Sequence, residues 1–174
     1  MRDIYISPIK AVLHCLDDPA LDFILCTSED YLSKPLPSNV LRLDFRDTVD
    51  PNDPAAFSAQ LAADVASFLQ RPDARPELFV CCDCGVSRSA ALAAAIRCAD
   101  GGSDFSIWDD PNYMPNPLVY RLTRRALDAP ITEDALNARL TLNAAARRKA
   151  FSRNVTQTGA VEAKMPNRYR ESQT

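Results

Sequence analysis

Short apolar runs in the first half of the chain predict β-strands. Each run is too short for a helix and is bounded by Ser, Pro or Asp residues that favour turns. The segment 40–45 alternates apolar and polar residues, as a strand with one buried face does. The predicted strands are 4–6, 23–26, 40–45 and 78–81.

Longer segments repeat apolar residues at helical spacing. We expect Asp53 or Pro54 to begin the first helix, and Thr132 to cap the last one. An alanine-rich segment ends at a glycine pair, 101–102, which is typical of a helix C-terminus. The predicted helices are 57–69, 88–99, 118–127 and 132–151, with a loop over 103–117.

The order of these elements predicts the fold class. Strands and helices alternate through the middle of the chain, which favours an α/β fold with a central, mostly parallel sheet flanked by helices. A length of 174 residues fits one domain. We assign this domain to residues 1–151, and we expect the basic segment 152–174 to be disordered because it has few apolar residues.

The apolar runs and the cysteines of the chain indicate its cellular location. No run of apolar residues reaches the roughly 18 that a membrane span needs, and the N-terminus has no signal-peptide pattern. Three of the six cysteines lie within positions 81–84, which is a poor framework for disulfides. We therefore expect reduced thiols, a cytoplasmic location and no membrane partner.

Basic residues accumulate toward the C-terminus. The formal net charge is −3, whereas residues 135–174 hold eight basic and two acidic residues, so that residues 1–134 carry −9. Arg147, Arg148, Lys149 and Arg153 form the densest part of this basic segment. Their pattern fits a solvated helix end better than a nucleic-acid site, because no aromatic residues are interleaved. Nucleic-acid binding through this segment stays a secondary alternative.

The residues that follow the strand at 78–81 carry the chemistry. Cys82 ends an apolar run, and Arg88 and Ser89 begin the alanine-rich helix. Backbone N–H groups at a helix N-terminus bind anions, and Gly85 permits the turn that points them inward. A thiolate in such a loop is a nucleophile, the guanidinium binds two phosphate oxygens, and Ser89 can donate to the sulfur. The predicted substrate-binding residues are Asp83, Cys84, Gly85, Val86, Ser87 and Arg88.

This segment resembles the signature of the cysteine-dependent protein tyrosine phosphatases, especially small bacterial and dual-specificity-like members. Residues 82–89 read Cys-Asp-Cys-Gly-Val-Ser-Arg-Ser, which matches Cys-(five residues)-Arg-Ser. The resemblance covers roughly residues 20–100. It implies a phosphatase-like fold, Cys82 as the nucleophile, Arg88 as the phosphate clamp and Ser89 as an aid in hydrolysing a phosphocysteine. It implies no metal or organic cofactor, and a phosphorylated protein or small phosphoester as substrate.

The resemblance also implies a general acid in the loop after the preceding strand. Asp44, Asp47, Asp50 and Asp53 are the candidates. Asp44 alternates with apolar neighbours within the predicted strand, which favours a structural role. Asp47 directly follows the strand and is our first choice for the general acid, with Asp50 second.

One residue departs from the family pattern. Members of the family usually have His before the nucleophile, whereas this chain has Cys81, a smaller side chain and a weak donor. We expect a less depressed pKa at Cys82 than is usual in the family. We also expect Asn116 either to bond the backbone of the phosphate loop or simply to start a helix.

The sequence leaves two alternatives to catalysis open. The Cys-Cys-x-Cys cluster is a candidate metal site, but a metal leaves Arg88 unexplained and no second Cys-x-x-Cys pair exists. The other alternative is a catalytically weak phosphate-loop protein that binds phosphorylated partners or RNA. A rhodanese-type sulfur carrier fits less well, because its loop usually lacks this Gly and the Arg-Ser ending.

Overall fold

A single parallel sheet organises the fold. The computed structural model describes residues 2–28 and 35–162. Its strands are β1 (Asp3–Pro8), β2 (Leu21–Cys26), β3 (Val40–Leu43) and β4 (Glu77–Cys82). They lie in the order β1-β4-β2-β3, and each of the three neighbouring pairs is parallel.

Strand β4 lies inside the sheet and carries Cys82 at its C-terminal end. Cys82 is in register with Pro8 of β1 on one side and with Cys26 of β2 on the other. Since parallel strands point the same way, the loops that follow their C-terminal ends meet at one edge of the sheet. The segments after β3 and β4 therefore lie at the same edge of the sheet. In open α/β sheets, ligands bind at this edge.

Helices connect the strands and cover both faces of the sheet. Most of the helical mass packs on one face, where α3 contacts β1, β2 and β4, and α5 packs on α2 and α3. The helices are α1 (Ile9–Val12), α2 (Ala59–Leu69), α3 (Arg88–Ala99), α4 (Phe105–Trp108), α5 (Pro117–Ala126) and α6 (Glu133–Glu162).

Two apolar clusters occupy the two faces of the sheet, which explains the continuous apolar runs of the inner strands. Ile24 and Cys82 belong to the larger cluster, together with buried residues of α2, α3 and α5. Phe23, Leu25 and Cys81 belong to the smaller cluster, which α1 covers. The neighbours Cys81 and Cys82 therefore face opposite layers.

The predicted α/β class with a parallel sheet and flanking helices is confirmed. Two boundaries differ. Strand β3 ends at Leu43, not at Phe45, because the chain leaves the sheet there and the Phe45 carbonyl accepts from the Arg88 side chain. Helix α2 begins after Ser58, whose hydroxyl accepts from the Leu61 N–H, so that neither Asp53 nor Pro54 starts it.

Other differences concern short helices and the C-terminal helix. The four-residue helices α1 and α4 were not predicted, because one turn shows no period in sequence. Helix α6 continues past Phe151 to Glu162, so the boundary predicted at 151–152 does not end the helix. The rest of the predicted tail, 163–174, lies outside the described residues.

No helix in the described part of the chain combines the length and the apolar character that a bilayer crossing requires.

Candidate active site

The segment between β4 and α3 forms a tight loop. The strand ends at Cys82 and the helix begins at Arg88, with Ser87 as its N-cap residue. Gly85 has φ +71°, in the left-handed region that favours glycine. A Cβ on Gly85 would lie 2.8 Å from the Pro8 backbone nitrogen and 2.9 Å from the Ser7 carbonyl carbon. The loop therefore packs directly on the end of β1, and only glycine fits there.

The Cys82 sulfur lies at the base of the loop, beside the hydroxyl group of Ser89. Its Sγ is 3.0 Å from Ser89 Oγ, and both residues are buried. Burial raises the pKa of Cys82, but hydrogen bonds from the Ser89 hydroxyl and from the N–H groups of Ser89, Ser87 and Val86 outweigh it. The net result is a pKa below the usual range for a thiol, so the thiolate is favoured.

Arg88 is buried beside this sulfur, and protein groups fix its guanidinium. Nη1 donates to the Phe45 carbonyl at 3.1 Å, and Nη2 pairs with Asp83 Oδ2. Nε is buried and has no hydrogen-bond partner. Burial lowers the pKa of Arg88, but Asp83 in the first place, with Cys82 and Asp47, raises it overall. The unpartnered Nε is a donor that an anion in the loop would satisfy.

Asp47 reaches the loop from the segment after β3. Its Oδ1 accepts from Ser87 Oγ at 3.0 Å and from Asn116 Nδ2 at 2.8 Å. The residue is exposed, so its carboxyl group borders both the loop and solvent. The structure thus brings Cys82, Arg88, Ser89 and Asp47 together.

None of the other three candidate acids has a described hydrogen bond to the loop between β4 and α3. Asp50 accepts from Asn52 within its own turn. Asp53 accepts from the Ala55 N–H and pairs with Arg46. Asp44 is exposed next to the end of β3. Of the four, Asp47 is the one with a described hydrogen bond to the loop between β4 and α3.

Asn116 has a larger role than the sequence predicted. Its Oδ1 accepts from the N–H groups of Leu118 and Val119, so it caps α5. Its Nδ2 donates to Asp47 Oδ1 and to the Thr48 carbonyl. The predicted bond from Asn116 to the backbone of the phosphate loop is not among these contacts. The pattern Pro-Asn-Pro marked the cap, but nothing in it pointed to Asp47.

A second contact joins the same segment to the loop. The Met114 N–H donates to the Val86 carbonyl at 3.0 Å. Asn143 of α6 in turn donates to the carbonyls of Trp108 and Tyr113, which fixes the path of the chain before Asn116. The 110–116 segment is therefore a wall of the site.

The remaining cysteines near Cys82 occupy separate environments. Cys81 lies in the smaller core, where burial raises its pKa to about 12. Cys84 is exposed, and buried Cys26 beside Cys82 has a raised pKa because of desolvation. Within the described residues, no group of three or more His, Cys, Asp or Glu side chains is placed to hold a metal ion. In the Cys-Cys-x-Cys segment, Cys82 lies in the larger apolar cluster, Cys81 in the smaller one and Cys84 at the surface, so the three thiols do not converge on one point.

The geometry unites a stabilised thiolate, a buried guanidinium with a spare donor and a carboxyl group across the loop. Such a set can form and break a bond to an electrophilic centre that carries anionic oxygens. Comparisons of the chain with protein-family models, with curated proteins and with solved structures found no match.

Proposed function

We propose that the protein is a phosphoric monoester hydrolase of the protein tyrosine phosphatase type, acting through a phosphocysteine intermediate. One observation carries the proposal. Cys82 Sγ lies 3.0 Å from Ser89 Oγ at the base of a tight loop that also contains buried Arg88, and the backbone N–H groups of Val86, Ser87 and Ser89 lower the pKa of this thiol. A nucleophile in a nest of amide donors suits a phosphate ester better than an uncharged substrate.

In the first step, the Cys82 thiolate attacks phosphorus. The S–P bond forms as the P–O bond to the leaving group breaks, and Asp47 gives its proton to the leaving oxygen. Arg88 and the loop amides hold the non-bridging oxygens, whose charge spreads in the transition state. Asn116 and Ser87 keep the Asp47 carboxyl group at the edge of the loop.

In the second step, water attacks the phosphocysteine. The Asp47 carboxylate takes a proton from the water, an O–P bond forms, and the S–P bond breaks. Inorganic phosphate and the Cys82 thiolate result. Ser89 stabilises the departing thiolate because its hydroxyl lies within hydrogen-bond distance of the sulfur.

The substrate class is a phosphorylated protein or a small phosphoester. A catalytically weak phosphate-loop protein that binds phosphorylated partners or RNA is the competing hypothesis. The two differ in turnover, since a binding protein needs the loop and Arg88 but neither the Cys82 thiolate nor Asp47.

Hydrolysis of p-nitrophenyl phosphate tests the proposal. We expect turnover by the wild-type protein, none by Cys82→Ser, and a loss of about a hundredfold or more for Asp47→Asn at neutral pH. Asp50→Asn is the matched control and keeps its turnover, because Asp50 bonds only within its own turn among the contacts described. A wild-type protein that binds phosphopeptides without turnover, as Cys82→Ser also does, would favour the binding hypothesis.

A further inference from the structure

The carboxylate of Asp83 lies at a place where it acts on the phosphate clamp. Asp83 is the first residue after Cys82, and its side chain joins two other segments. Oδ1 accepts from Thr27 Oγ1 at 2.8 Å, and Oδ2 pairs with Arg88 Nη2. Thr27 is fully buried and follows β2, so the clamp is tied to the neighbouring strand.

Two protein acceptors orient the guanidinium of Arg88. Phe45, from the segment after β3, accepts from Nη1, while Asp83 pairs with Nη2. With both terminal nitrogens engaged, the planar guanidinium has a fixed orientation. The Nε, which is buried and unpartnered, stays available for the anion.

A carboxylate here also has a cost. Asp83 places negative charge in a loop whose other groups favour an anionic ligand, so it opposes binding of phosphate in the ground state. Its effect on Arg88 is favourable, because a buried guanidinium needs an ionic partner when no anion is present. The charge repulsion acts on phosphate binding in the ground state. The orientation of the Arg88 guanidinium acts mainly on the transition state, because charge spreads over the phosphoryl oxygens there.

We propose that Asp83, held by Thr27, is a positioning residue that orients Arg88 for the transition state of phosphoryl transfer. This inference rests on the proposed function. It assigns a role to the Asp83 side chain, whereas the sequence motif predicted Asp83 only as one of the residues of the substrate-binding loop.

Kinetics of Asp83→Asn test the role. The amide keeps an oxygen for Thr27 but loses the ion pair with Arg88. We expect kcat on p-nitrophenyl phosphate to fall roughly tenfold to a hundredfold. Affinity for orthovanadate, which mimics the five-coordinate transition state, should fall by a similar factor, whereas affinity for inorganic phosphate stays within about threefold.

Matched variants separate positioning from general damage. Thr27→Val should weaken vanadate binding in the same direction, and Thr27→Ser, which restores the hydroxyl, should recover it. Asp73→Asn removes a carboxylate that pairs with Arg71 at the surface. It should leave kcat and the affinities for orthovanadate and inorganic phosphate unchanged. Equal losses of kcat and of affinity for vanadate and phosphate, in step with a lower unfolding midpoint, would overturn the proposal.

A readout that does not need turnover keeps this inference distinct from the proposed function. In ¹⁵N NMR spectra, the Arg88 Nε–H signal, assigned through Arg88→Lys, should exchange slowly with solvent and shift when inorganic phosphate is added. In Asp83→Asn it should exchange faster, with a smaller shift. An unchanged signal in Asp83→Asn, together with hydrolysis by the wild-type protein, refutes the positioning role alone, whereas absent hydrolysis by the wild-type protein refutes the proposed function and with it this role in catalysis.

Discussion

At the scale of single residues, the site depends on the ionisation of one sulfur. Cys82 is buried, and burial alone raises the pKa of a thiol. Four donors from Ser89, Ser87 and Val86 reverse this effect. The ionisation of Cys82 therefore depends on donors within eight residues of chain, and this is why these residues could be grouped from the sequence.

Removing one of these donors should raise the pKa of Cys82. In Ser89→Ala the desolvation remains while the strongest side-chain donor is lost, so less thiolate exists at a given pH. We expect alkylation of Cys82 by iodoacetamide at pH 6 to slow about tenfold, with its pH midpoint shifted upward. Mass spectrometry of the Cys82 peptide measures the rate.

Ser67→Ala is the control for this measurement, because its hydroxyl bonds the Ala63 carbonyl on an exposed helix face. Its pH profile should match that of the wild-type protein. An unshifted midpoint in Ser89→Ala would mean that the amide donors alone stabilise the thiolate.

At the scale of elements, the loop between β4 and α3 keeps its shape because β1 and α5 support it. Gly85 packs on the backbone of residues 7 and 8 at the end of β1. Asn116, at the start of α5, holds the segment that carries Asp47. A variant at Gly85 tests the packing of the loop on β1, and a variant at Asn116 tests the hydrogen bond to Asp47.

Two glycines with positive φ allow the packing of the loop on β1 to be compared with backbone strain alone. Gly85 and Gly101 have φ values of +71° and +83°, but a Cβ meets backbone only at Gly85, and nothing lies within 4 Å at Gly101. Gly101→Ala should cost about 1 kcal/mol of unfolding free energy. Gly85→Ala should cost more and should abolish the fast alkylation of Cys82, because the loop must move off β1.

Chemical denaturation and the iodoacetamide rate check both glycine variants. Equal losses of stability, with normal alkylation of Cys82 in Gly85→Ala, would contradict the close packing of the loop on Pro8.

The second support gives a variant that spares the helix. Asn116→Ser keeps an N-cap oxygen for α5 but is too short to donate to Asp47. We expect the unfolding free energy to stay within about 0.5 kcal/mol of the wild type, while kcat falls about tenfold. Asn116→Ala should lose both the cap and the turnover, and a Ser variant with full turnover would remove Asn116 from the site.

Contacts within one loop could be predicted from the sequence, whereas contacts between strands could not. Cys82, Arg88 and Ser89 are neighbours in the chain, so their grouping follows from a loop and one helical turn. Asp83 meets Thr27 only because β2 and β4 are adjacent in the sheet, and the strand order was not readable from the pattern. Short elements such as α1 and α4 left no periodic signal.

At the scale of the whole molecule, one buried carboxylate joins the helices behind the site. Asp104 is 1% exposed and accepts from Trp108 Nε1 at 3.0 Å, Tyr120 Oη at 2.5 Å and Arg139 Nε at 2.6 Å. These partners belong to α4, α5 and α6. Since α5 carries Asn116 at its start and α6 fixes the preceding segment, the network holds the wall of the site in place.

This network makes stability depend on pH in a definite direction. Burial raises the pKa of Asp104, but hydrogen bonds from Arg139 and Tyr120 outweigh it, so the folded-state pKa lies below the ordinary value of 3.8. A carboxyl group with a depressed pKa stabilises the fold above its unfolded-state pKa, and the contribution disappears as pH falls through the folded-state pKa.

Asp104→Asn should therefore lower the unfolding free energy by about 3 kcal/mol at neutral pH, because Arg139 stays partly buried without its ionic partner. Urea denaturation at several pH values measures the difference from the wild type, which should be constant above roughly pH 5 and shrink in more acidic solution. Glu133→Gln, which breaks an exposed pair with Arg121, should cost under about 1 kcal/mol. A difference that persists undiminished well below the folded-state pKa would show that Asp104 stabilises the helices through its shape and neutral hydrogen bonds, not through its charge.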